Sequence, residues 1–502
     1  MLKNFLLLVK NSSWYLIGNF TFAFLGVILL PLYTRFLTPT EYGITAIAAS
    51  ITALLTAFYQ LGLMGAYSRF YFEYKDDQKE LKRYISTIIL FIGILGLVFT
   101  LLLAIFGRPI QTLIPGVPFS PYIQLAICSS YFALFLQFRL VLYQNQQRAK
   151  LYTVLFVASS IVQILLTIYL VVLQKQGALG YIKAGLISQV VSASVSLWLL
   201  RHYLIPIIDA VKLRLSLCYG LPLLPHALAA WMFTQSDRMI LNGLVSTAEA
   251  GIYSIAYVIG SAMSMVATSV NFAWAPLLFS SMKYRGDAAK GEIARFATYW
   301  VLVMCFVFLL ISIFSREIIT VFTAPQYHEA YRVVPLIALG FLFGGFYYIV
   351  ANPLFWAGKT AVIAACTITA GLLNVGLNFL LIPKLQMMGA ATAAALSSLY
   401  CFGIVAYFSL RSLPFPYEYR RLLKIFTITA ACYLLSLPII NLNGFWLPFA
   451  VKLVLIIVLF PLFIVLVRFL DEQEKRAARD LFEAGVQWCY SKIFLSKGNK
   501  SL

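Results

Sequence analysis

Long apolar runs separated by short polar breaks recur along the whole chain, and nothing constrains the fold more. Taking about 20 apolar residues as one bilayer crossing gives roughly fourteen runs. They lie at roughly 12–34, 43–67, 85–106, 120–143, 151–173, 179–200, 216–238, 250–280, 294–314, 331–352, 361–382, 389–410, 422–440 and 446–467. Backbone amides in lipid must be satisfied within the segment, so these runs are helices. The expected class is an all-α polytopic membrane protein of about fourteen transmembrane helices. Only 11% of the 502 residues are charged, against roughly 25% in a soluble domain. No stretch is long or polar enough for a separate catalytic module, so an enzyme is not expected.

The net charge of +20 follows topology. When the breaks are sorted onto alternating sides, about 28 Lys and Arg fall on the side of the N-terminus, the even-numbered loops and the tail. About 9 fall on the other side, and Arg139 lies inside a span. Both termini are therefore expected in the cytosol, and no nucleic-acid partner is needed to explain the charge. Lys3, Lys10 and a short apolar run resemble a signal peptide, but no small-residue cleavage site follows. The segment is expected to be retained, with Asn11-Ser12-Ser13 capping the first span. The tail, 468–502, places Phe469, Leu481, Phe482, Trp488 and Ile493 among charges, as in an amphipathic helix on the cytosolic membrane surface. The seven cysteines form no CxxC pair and His202, His226 and His328 are far apart, so no metal, disulfide or cofactor is expected.

An internal repeat divides the chain. Thr38-Pro39-Thr40-Glu41-Tyr42-Gly43-Ile44 follows span 1 and Ser246-Thr247-Ala248-Glu249-Ala250-Gly251-Ile252 follows span 7. Each pairs a hydroxyl with a Glu three residues on, the pattern of a capping box. The offset of about 208 residues also superposes the basic loops at Lys75 and Lys283. Two six-span halves pointing the same way are expected, related by an axis along the membrane normal: 1–210 and 211–412, then two added spans over 413–467. Matched lobes facing a cleft imply alternating access and hence a transporter.

The opening run to "PLYTRFLTPTEYGITAIA", the segment "SDRMILNGLVSTAEAGIYSIAY" and the span count resemble the Wzx-type polysaccharide-biosynthesis flippases. These belong to the superfamily of the multidrug and toxin extrusion transporters. The resemblance covers nearly the whole chain and implies a V-shaped central cavity. It further implies transfer of an undecaprenyl-pyrophosphate-linked oligosaccharide, such as an O-antigen repeat unit, from the cytosolic to the outer leaflet of a bacterial inner membrane. The expected partners are that polyprenyl-pyrophosphate-linked glycan, membrane lipids, and a polysaccharide polymerase and glycosyltransferases.

Such a cargo asks for cations at its phosphates, and Arg suits them through bidentate, charge-assisted bonds. Arg35 at the outer end of span 1, Arg69 at the inner end of span 2, Arg139 within span 4 and Arg238 at the end of span 7 are the candidate substrate ligands. Each has a plainer reading. Arg35 and Arg139 fit snorkelling to headgroups, and Arg69 fits a topology anchor. Asp237 is the one acid placed within a span, as a coupling-ion or proton site, as the residue that holds a cavity arginine in place, or as half of an outer-interface ion pair; adjacent residues diverge by about 100°, so it need not pair with Arg238. His226 follows Gly220 to Pro225, where two prolines interrupt the backbone, so span 7 is expected to be kinked and to move. Asn271, Asn374 and Asn378 read as helix–helix glue. The alternative function is an ion-coupled drug or metabolite exporter of the same superfamily. Export of cations calls for intramembrane acids, and this chain offers one against several arginines.

Overall fold

A computed structural model describes residues 26–467, apart from 108, 441–443 and 445, together with Phe469. The expected cap at Asn11–Ser13, most of span 1 and the tail beyond Phe469 lie outside the described residues. Among those described there are helices and no strand. The first half comprises α1 (Leu30–Phe36), α2 (Pro39–Gln60), α3 (Leu63–Tyr74), α4 (Gln78–Phe106), α5 (Gln124–Asn145), α6 (Ala149–Thr167) and α7 (Gly177–Leu200). The second comprises α8 (Ala210–Gly220), α9 (Leu224–Leu244), α10 (Thr247–Gly260), α11 (Ala262–Arg285), α12 (Lys290–Ile313), the short α13 (Ser315–Phe322), α14 (Val334–Trp356), α15 (Thr360–Leu385) and α16 (Met387–Ser412). α17 (Tyr419–Ile440) and α18 (Trp446–Val454, continued as helix to Leu466) follow.

Twelve helical runs among the described residues are long and apolar enough to cross a bilayer. One of them, Thr247–Ile313, is 67 residues long, several times the ~20 that one crossing requires. It covers expected spans 8 and 9, and the chain turns within it at Gly286, whose φ of +53° suits glycine. Leu, Ile and Phe side chains such as Leu101, Ile105, Phe106 and Leu165 stand exposed on the helix exteriors. Lipid is the solvent that tolerates such a surface.

The two halves pack by one scheme. In the first, α5 is central and contacts α2, α4 and α7, while α6 lies on α7. In the second, α14 contacts α10, α12 and α16, while α15 lies on α16. These are the same pairings shifted by the repeat offset, so the fold is two matched six-helix lobes with an added helical pair. α17 packs along α12. The pair is also held by Lys452, whose Nζ lies 2.7 and 2.9 Å from the Glu317 carboxylate oxygens with both residues buried.

Spans 7 and 2 are both broken, the second unexpectedly. Span 7 is interrupted by a 3-10 turn at Leu221–Leu223, where Pro222 and Pro225 withhold amide donors. Span 2 also breaks, between α2 and α3, where Leu61 and Gly62 both take left-handed backbone (φ 47° and 70°). The two breaks touch: a methyl group on Gly62 would overlap the Gly220 carbonyl. The sequence did not mark Leu61, because the step Gln60-Leu61-Gly62 lies inside a run apolar enough overall to read as one span.

The two repeat motifs form different caps. The Thr38 hydroxyl accepts from the Glu41 amide, and the Glu41 carboxylate accepts from the Thr38 amide at 2.9 Å, a complete capping box. Ser246 accepts from the Glu249 amide at 3.1 Å, but Glu249 returns no bond to the Ser246 amide. Ser246 is more extended (φ −168° against −75° for Thr38), which turns its amide away from the carboxylate.

Candidate functional site

The two lobes meet at the end of the bundle that carries these caps. Gly43 and Gly251 occupy equivalent positions in the repeat, and α2 crosses α10 there. A methyl on Gly43 would overlap the Thr247 carbonyl, and one on Gly251 would overlap that of Pro39. The glycines thus permit backbone-to-backbone packing.

Two further contacts fasten the same end, one from each lobe. Asn242 on α9 donates from Nδ2 to the Pro115 carbonyl at 2.8 Å. At the equivalent place Thr34 Oγ1 on α1 accepts from the Ala324 amide at 3.1 Å. Gln326 and Tyr327 strengthen the second contact by donating to the Leu37 carbonyl at 3.1 and 2.8 Å. Burial raises the Tyr327 phenol well above its ordinary range, so it stays protonated and able to donate.

Arg238 lies just beneath this seam and is buried, with 7% exposure. Its guanidinium sits 4.1 Å from the centre of the Tyr257 ring. Its Nη1 donates to the Gln235 side-chain oxygen at 2.7 Å and to the Thr234 carbonyl at 2.9 Å. Gln235 accepts in turn from Ser50 Oγ of the other lobe at 3.1 Å, and Trp231 donates to the Ser50 carbonyl at 3.0 Å. Arg238 is therefore tied into the joint between the lobes. Asp237 points elsewhere. It accepts from the Arg238 amide at 2.9 Å and from the Tyr253 hydroxyl at 2.5 Å, and among the described residues no guanidinium lies within ion-pair distance of it.

The other nominated residues are dispersed. Arg35 is exposed at the cap end of α1, and Arg69 is exposed at the opposite end of α3 over the Tyr219 ring at 4.7 Å. Arg139 is buried on α5 against the Tyr143 ring at 4.1 Å. Its Nε and Nη1 have no hydrogen-bond partner among the described residues. Gln137, two positions earlier, is about 200° away around the helix and faces a cavity that Arg139 does not line. His226 lines a different cavity, with Nδ1 3.1 Å from Thr367 Oγ1. The structure thus places Arg238 at the seam, turns Asp237 to Tyr253 within its own lobe, and keeps the remaining four apart. The asparagines act as glue: Asn352 donates to Asn271 at 2.8 Å, and Asn378 donates to Asn374, which also accepts from Ser236.

Each lobe holds a cavity between equivalent spans. That of the second lobe, about 400 Å³, is aromatic and apolar, with Phe233, Tyr257, Phe341, Tyr347 and Ile337 in its wall. That of the first, about 510 Å³, lies among α2, α5, α6 and α7 and is lined by hydroxyls and amides, including Gln60, Gln137, Gln163 and Gln189. Sequence reasoning missed these glutamines, since each is a single polar residue in an apolar run. The available signal was the helical spacing of Thr45, Thr52, Thr56 and Gln60 along one face of α2.

Paired lobes, a closed seam at one end and a cavity in each half define a multi-pass helical membrane protein built from two matched lobes. The chain belongs to the polysaccharide biosynthesis protein family, whose profile matches residues 8–282. It is 25% identical over 382 residues to an uncharacterized membrane protein of Haemophilus influenzae, covering 74% of this chain and 89% of that one. Over 380 residues it is 21% identical to the Lsg locus putative protein 1 of the same organism, covering 73% and 89%. Among solved structures it is similar to the lipid II flippase MurJ in an inward closed conformation, with a TM-score of 0.70 at 14% identity over 92% of this chain and 99% of that one. It is also similar to an inward-facing multidrug resistance MATE family transporter, with a TM-score of 0.60 at 13% identity over 83% and 96%. The expected family and the all-helical membrane fold class are borne out, while the expected count of fourteen spans is matched by twelve candidate runs among the described residues.

Proposed function

We propose that the protein is a flippase that carries a polyprenyl-pyrophosphate-linked oligosaccharide from the cytosolic to the outer leaflet of a bacterial inner membrane, and that it is not an enzyme. The working units are the lobes 1–210 and 211–412, rocking about their joint, with the helices of 413–467 alongside. Both termini are cytosolic, and the cap end faces outward. One observation carries the reading beyond family and fold: the buried guanidinium of Arg238 is held where the lobes part. Its partners there are a glutamine oxygen, a carbonyl and a ring face, which are neutral groups that an anionic headgroup displaces readily. Arg35 stands on the outer side of this point and Arg69 on the inner side, so the pyrophosphate meets cations in sequence as the cleft changes sides; Arg139, buried in the first lobe, joins that sequence only if the lobe opens.

An ion-coupled exporter needs an acid free to exchange protons or cations. Asp237 is buried and already accepts two hydrogen bonds, so it suits a fixed strut better. The decisive test is depletion of the protein in its own cell. Lipid-linked repeat units should accumulate on the cytosolic leaflet while surface polysaccharide falls. Unchanged distribution of these units between the leaflets would reject the function.

A further inference from the structure

We propose that the cavity inside the first lobe is a saccharide site, taking an uncharged sugar unit of the cargo through its hydroxyl groups. The identity of that cargo rests on the flippase reading above; the chemistry of the site rests on its walls. Thr45, Thr52, Thr56 and Gln60 recur along one face of α2, a rise of about 22 Å at 1.5 Å per residue. Ala53, Ala57, Ala126 and Gly185 leave room between the helices. The volume of about 510 Å³ falls within the usual small-molecule range of roughly 300–1,000 Å³. Ala49, at the edge of the cavity, is exposed, so the space is not sealed.

The wall offers donors and acceptors together and carries no carboxylate, guanidinium or ammonium among the described residues. Thr52 donates its proton to the Ala48 and Ala126 carbonyls at 2.9 and 3.2 Å, and Thr56 donates to the Thr52 carbonyl at 2.7 Å. Their oxygens therefore remain as acceptors. Gln60 donates to the Gln137 oxygen, which leaves the Gln60 oxygen to accept and the Gln137 amide to donate. Gln163 makes no side-chain hydrogen bond among the described residues, and the Gln189 oxygen is buried without a partner.

Three classes of ligand fit poorly. A cation lacks carboxylates, an anion lacks cationic donors, and a hydrocarbon would strand the amides. A sugar hydroxyl both donates and accepts, and so matches mixed, uncharged walls. The second lobe supplies an internal contrast. The cavity there, to which span 7 also contributes, carries His226 and hydroxyls among aromatic and apolar side chains but no glutamine or other amide, so the fold itself does not require the glutamines.

The test uses the full chain in nanodiscs with saturation-transfer NMR. The probes are methyl glycosides of a hexose, an N-acetylhexosamine and a deoxyhexose, with inorganic pyrophosphate followed by phosphorus-NMR line broadening in a separate arm. At least one glycoside should receive saturation. Gln189→Leu and Gln163→Leu should weaken its binding about tenfold each and leave pyrophosphate binding unchanged. Their melting temperatures should hold or rise, because leucine relieves an unsatisfied amide; a purely structural glutamine would show the reverse. Ala53→Phe, which fills the cavity and removes no polar group, should abolish glycoside binding. Absence of saturation by every glycoside, or undiminished saturation in all three variants, would overturn the site. The outcomes separate from those of the flippase reading. Leaflet accumulation on depletion with no glycoside binding rejects this site alone, whereas glycoside binding without accumulation rejects the proposed transport.

Discussion

Gly43 and Gly251 touch across the joint between the lobes: a methyl group on Gly251 would lie 2.8 Å from the Gly43 amide nitrogen as well as on the Pro39 carbonyl. Each glycine belongs to one copy of the repeat, so a pattern that reads as a helix cap also sets the distance between the lobes. Gly43→Ala and Gly251→Ala should each disfavour the closed cap end by about 1–3 kcal/mol, the usual cost of an overpacked contact. A single cysteine at exposed position 49, in a cysteine-free background, reports the change. Labelling by a membrane-impermeant maleimide from the outer face should speed up in both variants. Rates equal to that of the parent would mean that this crossing is not the gate.

The Asn242–Pro115 and Thr34–Ala324 contacts form a reciprocal latch in which each lobe's loop is gripped by the other lobe. Loss of one neutral hydrogen bond costs about 1 kcal/mol. Thr34→Val should therefore accelerate amide exchange in the segment 323–332 about fivefold, and Asn242→Leu, which also removes the acceptor of the Thr247 hydroxyl, should accelerate it at least as much in 113–118. Distant contacts add, so the double variant should show both local effects with no excess. Exchange that rises equally in both segments of either single variant would show one cooperative latch in place of two.

Lys452 and Glu317 make a different kind of link, a buried ion pair that anchors the added helices. Removing one partner strands a charge and costs about 3–5 kcal/mol, whereas replacing both by apolar groups is often neutral. Lys452→Met should therefore lower the melting temperature sharply, and Glu317→Leu combined with Lys452→Met should restore most of it. A double variant as unstable as Lys452→Met would mean that packing, and not charge burial, dominates there.

Much of this architecture is legible in the sequence because lipid enforces simple rules. Apolar run length marks the helices, and the repeat around Thr38 and Ser246 marks the pairing of halves. The kink at span 7 was visible in its prolines, which cannot donate. The matching kink at Leu61 was not, since an αL backbone at leucine leaves no compositional trace and is held by tertiary contact with Gly220. Arg238 and Asp237 stood out as charges in an apolar segment. The sequence could not show that Asp237 turns to Tyr253 while Arg238 turns to Gln235 and Tyr257, because adjacent residues diverge by about 100°. The first-lobe cavity escaped notice for a related reason: its polar wall is assembled from four helices, each contributing side chains that look incidental alone.

Arg139 and Arg238 provide the sharpest test of the phosphate role, because they differ in what surrounds them. Arg238 is bonded to Gln235 and Thr234 in this state, so Arg238→Ala should loosen the joint and halt transport together. Arg238→Lys should recover only part of the activity, since an ammonium lacks the planar fork and stacks less well on Tyr257. Arg139 is buried with Nε and Nη1 unpartnered among the described residues, and its contact with the Tyr143 ring offsets only part of the cost of leaving buried donors unsatisfied, about 1–3 kcal/mol each. Arg139→Met should therefore raise the melting temperature and still reduce movement of lipid-linked glycan in proteoliposomes, if the guanidinium is held in readiness for pyrophosphate. Full transport by a stabilised Arg139→Met protein would remove Arg139 from the phosphate path and leave Arg238 as the central cation of the crossing.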